Sequence, residues 1–181
     1  MRFHLFEFED LDWYPDFIRR GQTDFLRMMM RVFDVFRAVL PILKESLQTS
    51  GKTQIVDLCS GGGGSMEIVH EYLKANGLDT SILLSDLYPN QAAFELLEAS
   101  SGGDIGFIAQ SVDAKKLPAN LDGFLTIFNG FHHFQPQDAQ AILQEAVNRK
   151  LPIGVFEPLE KSIFQLLLNT LALTLLPFLF T

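Results

Sequence analysis

Apolar positions follow two different periods along this chain. Leu26, Met29, Phe33, Phe36, Leu40 and Leu43 recur at spacings of three and four, which predicts a helix with one apolar stripe. Asp24 sits near its expected start, where an acid complements the helix dipole. Pro41 predicts either a kink or the first turn of a second helix. Upstream, Trp13-Tyr14-Pro15 predicts an extended or turning segment, because the residue before proline avoids the helical region. Gly21 is expected to close that segment. Ser46 to Thr53 is polar and contains glycine, and reads as a connection.

Beyond residue 53 short β-branched and aliphatic runs alternate with helical patterns. Strands are expected at Ile55 to Leu58, Ser81 to Ser85, Ile105 to Ala109, Phe124 to Phe128 and Ile153 to Phe156. Helices are expected from Ile68 to a stop at Asn76-Gly77, around Ala92 to Ala99, and over Pro136 to Asn148. Strands alternating with helices imply an α/β fold with a Rossmann-like, doubly wound, mostly parallel sheet. Residues 1–50 read as an N-terminal helical cap, 51–158 as the sheet domain, and 159–181 as an apolar C-terminal segment. The Met and Phe stripe fits core packing of the cap against the sheet. It also fits a lid in which Trp13, Tyr14, Phe25 or Met28 to Met30 touches a substrate.

The charge is uneven. Of the formal net charge of −8, residues 1–52 contribute nothing, with eight Lys/Arg against eight Asp/Glu, and the remainder holds six against fourteen. An acidic sheet domain is a poor match for a polyanion, so a nucleic acid partner is not expected. A single cysteine, Cys59, excludes an internal disulfide and a thiolate metal cluster, and fits a reducing, cytoplasmic compartment. Acids within Met1 to Asp12 argue against a secretory leader.

The candidate chemistry starts at Gln54 to Ser65, where a strand runs into four consecutive glycines and then a helical pattern. That geometry aims backbone amides at a crevice beyond the carboxyl ends of the strands, where an anionic or nucleotide-type ligand binds. Met66 stands where a dinucleotide-type glycine pattern needs its third glycine, and no Gly-Lys-Ser/Thr follows to make a triphosphate loop.

Asp57-Leu58-Cys59-Ser60-Gly61-Gly62-Gly63 resembles the acid-x-Gly-x-Gly-x-Gly signature of class I methyltransferases that use S-adenosylmethionine. Asp86-Leu87, after the second strand, matches the place where that family keeps an acid for the ribose hydroxyls. Asp113-Ala114 resembles the pair that reads the adenine, and Asn129 to His133 the segment beside the sulfonium, facing the substrate. The resemblance covers about residues 53 to 158. It implies cofactor contacts from Asp57, Cys59, Ser60, Gly61, Gly63, Asp86, Leu87, Asp113, Ala114 and Asn129, and S-adenosylmethionine as cofactor. His133, with His132 as second choice, is the candidate base. Cys59 stands in place of the family's first glycine, and only five strands are visible, without the antiparallel hairpin that completes the family's sheet.

Each acid also has a plainer reading. Asp86 and Asp113 suit turns or helix caps, and Asp57 suits an acid that orders the glycine loop. No metal site is expected from His132 and His133, because neighbours on an extended segment point to opposite sides. Asn129-Gly130-Phe131 lacks the two prolines of the amino-methylating motif, so a small-molecule methyl acceptor is expected. A non-catalytic cofactor-binding or membrane-associated module on the same fold is the alternative. Ser162 to Thr181 contains no charged residue, and its length is at the threshold for a bilayer span of ~20 residues. Arg149, Lys150 and Lys161 precede it and would keep the sheet domain on the cytoplasmic side.

Overall fold

The computed structural model describes residues 13–157. Its sheet contains β1 (Gln54–Leu58), β2 (Ser81–Ser85), β3 (Ile105–Phe107), β4 (Phe124–Phe128) and β5 (Ile153–Phe156). Their order is β3-β2-β1-β4-β5, and every pairing is parallel. The chain crosses from β3, at one edge, to β4 on the far side of β1. That reversal opens a crevice at the carboxyl ends of β1 and β4.

Ile55, Val56, Leu58, Leu125 and Ile127 are at most 1% exposed, as parallel strands covered on both faces require. One face packs against α2 (Leu40–Ser50), α3 (Gly64–Ala75) and α4 (Gln91–Ser101), through Leu43, Leu47, Val69, Phe94 and Leu97. The other is covered by Ile142 and Ala146 of α5 (Pro136–Arg149) and by Val112, Leu117 and Leu121 of the β3–β4 connection. Burial of each such aliphatic side chain contributes about 1.5–3 kcal/mol. This is the doubly wound α/β arrangement expected from the sequence.

The N-terminal cap departs from the expected single stripe. Helix α1 (Asp16–Val32) starts directly after Pro15 and runs through Gly21, which closes nothing. Asp24 therefore lies mid-helix. The helix ends where Asp34 takes a left-handed φ of 48°, with the Asp34 amide donating to Arg31 O and the Val35 amide to Met30 O. This is a Schellman stop with aspartate in the usual glycine position, so no glycine announced it. Pro41 lies in the first turn of α2. Between the helices, Phe36 is 2% exposed and packs edge-on against Phe128 of β4 at 4.9 Å, while Phe33 on the expected stripe is 66% exposed.

Two further boundaries move. Helix α2 continues to Ser50 and is capped by left-handed Gly51, so the expected connection shrinks to 51–53. Strand β3 ends at Phe107 rather than Ala109, although the Ile108 amide still donates to Leu84 O at 2.9 Å. The expectations for residues 1–12 and 158–181 lie outside the described residues.

Helix α1 lies across the start of α3. A Cβ on Gly64 would come within 2.9 Å of the Arg27 backbone, so only glycine lets the two helices approach this closely. Arg27 and Arg31 pair with Glu67 at 3.2 and 2.7 Å. Ser65 Oγ is 3.4 Å from Met30 Sδ. At its other end, the Arg19 guanidinium stands 4.5 Å over the Tyr88 ring, just beyond β2.

Candidate active site

The carboxyl ends of the strands gather most of the residues picked out in the sequence. After β1 the backbone turns through Cys59, Gly61 and Gly63 at φ 60°, 53° and 72°. A Cβ on Gly63 would collide with Leu97 Cδ1. Cys59 thus holds the left-handed geometry that a glycine would take at no cost, a strain of order ~1 kcal/mol. A Cβ on Gly130 would fall 3.0 Å from Cys59 Cβ. The loops after β1 and β4 therefore touch because both residues are small.

Asp57 is 2% exposed. Its Oδ1 accepts from Thr126 Oγ1 at 2.6 Å and its Oδ2 from Ser60 Oγ at 2.8 Å. Ser60 Oγ in turn accepts from the Ser85 amide at 3.1 Å, and Ser85 Oγ donates to Asp57 O at 2.8 Å. One buried carboxyl thus fastens β1 to β4, and the serines fasten it to β2. Burial pushes the Asp57 carboxyl up to about 7, against the two hydroxyl bonds that favour its charged form. This is the loop-ordering role among the sequence alternatives.

Asp86 joins the second loop to the first. Its Oδ2 accepts from the Gly61 amide at 2.7 Å and its Oδ1 from the Tyr88 amide at 2.8 Å. Burial raises its carboxyl above the ordinary range, opposed by those amides and by nearby His133. The Val112 amide donates to Asp86 O at 2.8 Å and Ser111 Oγ to Leu87 O at 2.7 Å, which brings the β3 loop alongside. Asp113 Oδ1 accepts from the Lys115 amide at 2.9 Å, the turn role foreseen as its plainer reading. Ala114 is 5% exposed and packs in the core, whereas Leu87 is 47% exposed.

Asn129 leaves β4 at φ 52°, a left-handed position that asparagine tolerates, and its amide donates to Phe156 O. Phe131–His133 form a short 3-10 turn, not the extended segment assumed in the sequence, and the two imidazoles lie 4.3 Å apart. Among the described residues no three His, Cys, Asp or Glu gather as metal ligands. His132 Nδ1 is 2.7 Å from Glu157 Oε2, and Glu157 Oε1 accepts from the Phe131 amide at 2.7 Å. Burial would raise Glu157, but the bond and charge of His132, the Phe131 amide and His133 together hold it below its ordinary value. Glu157 is the functional candidate that sequence reasoning passed over. Its signal was its position, since an acid after β5 mirrors Asp86 after β2.

Solved structures of other proteins share this fold. An O-methyltransferase family protein from Burkholderia thailandensis superposes with a TM-score of 0.50 at 15% identity, covering 70% of this chain and 37% of its own. The chain has the class I methyltransferase fold. A candidate O-methyltransferase from Nostoc punctiforme gives a TM-score of 0.46 at 14% identity, covering 66% and 34%. A candidate methyl transferase from Burkholderia thailandensis, bound to S-adenosyl-homocysteine, gives 0.41 at 17%, covering 63% and 26%. The chain thus spans little more than a third of the methyltransferase it superposes on best of these three. No protein-family model and no curated protein matches the sequence.

Proposed function

We propose that the chain binds S-adenosylmethionine at the carboxyl edge of β1 and β2 and transfers its methyl group to a small-molecule acceptor. The observation that carries this reading is the bond between the Gly61 amide and Asp86. It holds a glycine turn and a half-buried carboxylate together at the topological switch point. The residues fit the cofactor. Gly61 and Gly63 have no Cβ to obstruct the loop, and the Asp86 carboxyl, which accepts from the Gly61, Tyr88 and Leu87 amides, keeps one of its four lone pairs for a ribose hydroxyl. Asn129 and Asp113 border the same edge.

When bound, the cofactor supplies a methyl group on an electron-poor sulfur. The protein's own part is positioning, which can contribute ~7–11 kcal/mol, and removal of the acceptor's proton. For that removal we take His132 before His133, a choice supported by Glu157, which can accept from Nδ1–H and orient the ring with Nε2 as the basic atom. His132 Nε2 would take the proton of an acceptor hydroxyl as that oxygen accepts the methyl group. His133 acts on the cofactor side, beside Asp86.

Calorimetry tests the binding half. Wild type is expected to bind S-adenosylmethionine, and Asp86→Ala to lose about 1.5–3 kcal/mol, the value of a bond to a charged acceptor. Binding of NADH instead would refute the assignment. Release of labelled methyl into an extract fraction separates an enzyme from a non-catalytic binder.

A cytoplasmic location with membrane contact through 162–181 completes the proposal. Among the described residues no helix is long and apolar enough to cross a membrane, and that segment lies outside them. Its charge-free composition supports the contact. Removing 162–181 should shift the chain from membrane to supernatant on fractionation, and identical partition of both forms would sink the idea.

A further inference from the structure

Helix α1 carries a polar group that the fold leaves unsatisfied. Gln22 is 5% exposed, and among the described residues its Oε1 is the one buried side-chain oxygen or nitrogen with no hydrogen-bond partner. An orphaned buried acceptor costs about 1–3 kcal/mol. Such a group calls for a partner, and an ordered water, an ion or a ligand can supply it.

Its neighbours along α1 say where it stands. Arg19, three residues earlier, covers Tyr88 beyond β2. Arg27, five residues later, abuts Gly64, and Met30 meets Ser65. At 1.5 Å per residue Gln22 is therefore about 4.5 Å along the axis from the first contact and about 7.5 Å from the second. On the helical wheel it falls within about 80° of both Arg19 and Met30, on the covered side of α1. Along the axis it therefore lies between the contact of α1 with the β2 loop and its contacts with the first turn of α3, which directly follows the glycine loop.

We infer that Gln22 binds the amino-acid end of the cofactor, its Oε1 accepting from the α-ammonium. The inference rests on the cofactor reading above. It assigns to the N-terminal helix a cofactor contact in addition to those of the strand-end loops. A cofactor end carrying both ammonium and carboxylate complements the amide in either orientation, since turning it over exchanges a buried oxygen for a buried NH2 without adding a partner.

Gln22→Met keeps the volume and removes the polar group. Calorimetry with S-adenosylhomocysteine and with 5′-methylthioadenosine, which lacks the amino-acid end, is run on both proteins beside thermal melts without ligand. The variant should bind S-adenosylhomocysteine at least about tenfold more weakly, bind methylthioadenosine as wild type does, and melt about 2–4 °C higher when unliganded. A lower melting temperature would mark Gln22 as a structural partner and overturn the inference. So would equal affinity of both proteins for S-adenosylhomocysteine, or an equal loss for both ligands. Wild type that binds neither compound overturns the cofactor reading and this inference together. Wild type that binds both, with Gln22→Met indistinguishable from it, overturns this inference alone.

Discussion

Replacing His132 by glutamine is expected to lower kcat by about 10²- to 10⁴-fold, the contribution of a positioned general base, with S-adenosylmethionine affinity unchanged. The Glu157 bond gives the reason: at 2.7 Å it fixes the ring and decides which nitrogen carries the proton. Glutamine can fill the space and donate to Glu157, but it cannot take the acceptor's proton. Glu157→Gln should lower kcat less and leave KM for the cofactor alone, because it disturbs the orientation and not the base itself. His133→Gln should act on cofactor affinity instead, through its charge on Asp86. Steady-state kinetics paired with calorimetry reads all three. A kcat loss confined to the His133 variant would move the base to that residue.

Asp57→Asn is expected to stabilise the protein at pH 8 and to leave it unchanged near pH 3. The folded-state value of about 7 lies above the ordinary 3.8. Stability from the protonated group is therefore fully present below pH 3.8, declines as pH rises toward 7, and is flat beyond. At 1.36 kcal/mol per pH unit the span sets an upper limit of about 4 kcal/mol, and relaxation around the carboxylate brings the expected gain to about 2–3 kcal/mol. Asparagine can still accept from Thr126, and it carries no charge to desolvate. Denaturant midpoints of both proteins across pH 3–9 check this. A constant difference between them would mean that Asp57 does not titrate in this range.

The strands were legible because a parallel sheet buried on both faces leaves unbroken apolar runs, and Ile55–Leu58 and Phe124–Phe128 are such runs. The meeting of the glycine loop with Asp86 was legible as a glycine run and an acid placed directly after two strands that pair as neighbours. What stayed hidden was set by tertiary contacts. The end of α1 rests on Asp34 in a glycine's conformation, which periodicity does not register. The partnership of His132 with Glu157 joins residues 25 apart in sequence. The demand for glycine at residue 64 comes from the backbone of Arg27, which no local pattern reveals. Gln22 looks in the sequence like any polar helix residue, and only its burial without a partner marks it.

The bond from Thr126 to Asp57 also bears on how the chain avoids wrong pairings while folding. In a ladder with a side-chain period of two, a slip of one residue between β1 and β4 would turn Asp57 and Thr126 to opposite faces. Apolar neighbours such as Val56 and Leu125 could exchange partners at little cost. The stranded carboxyl could not, and its loss of hydrogen bonding would raise each slipped arrangement by about 1–3 kcal/mol or more. A single costly polar group in the middle of the sheet thus widens the energy gap between the native alignment and its nearest competitors.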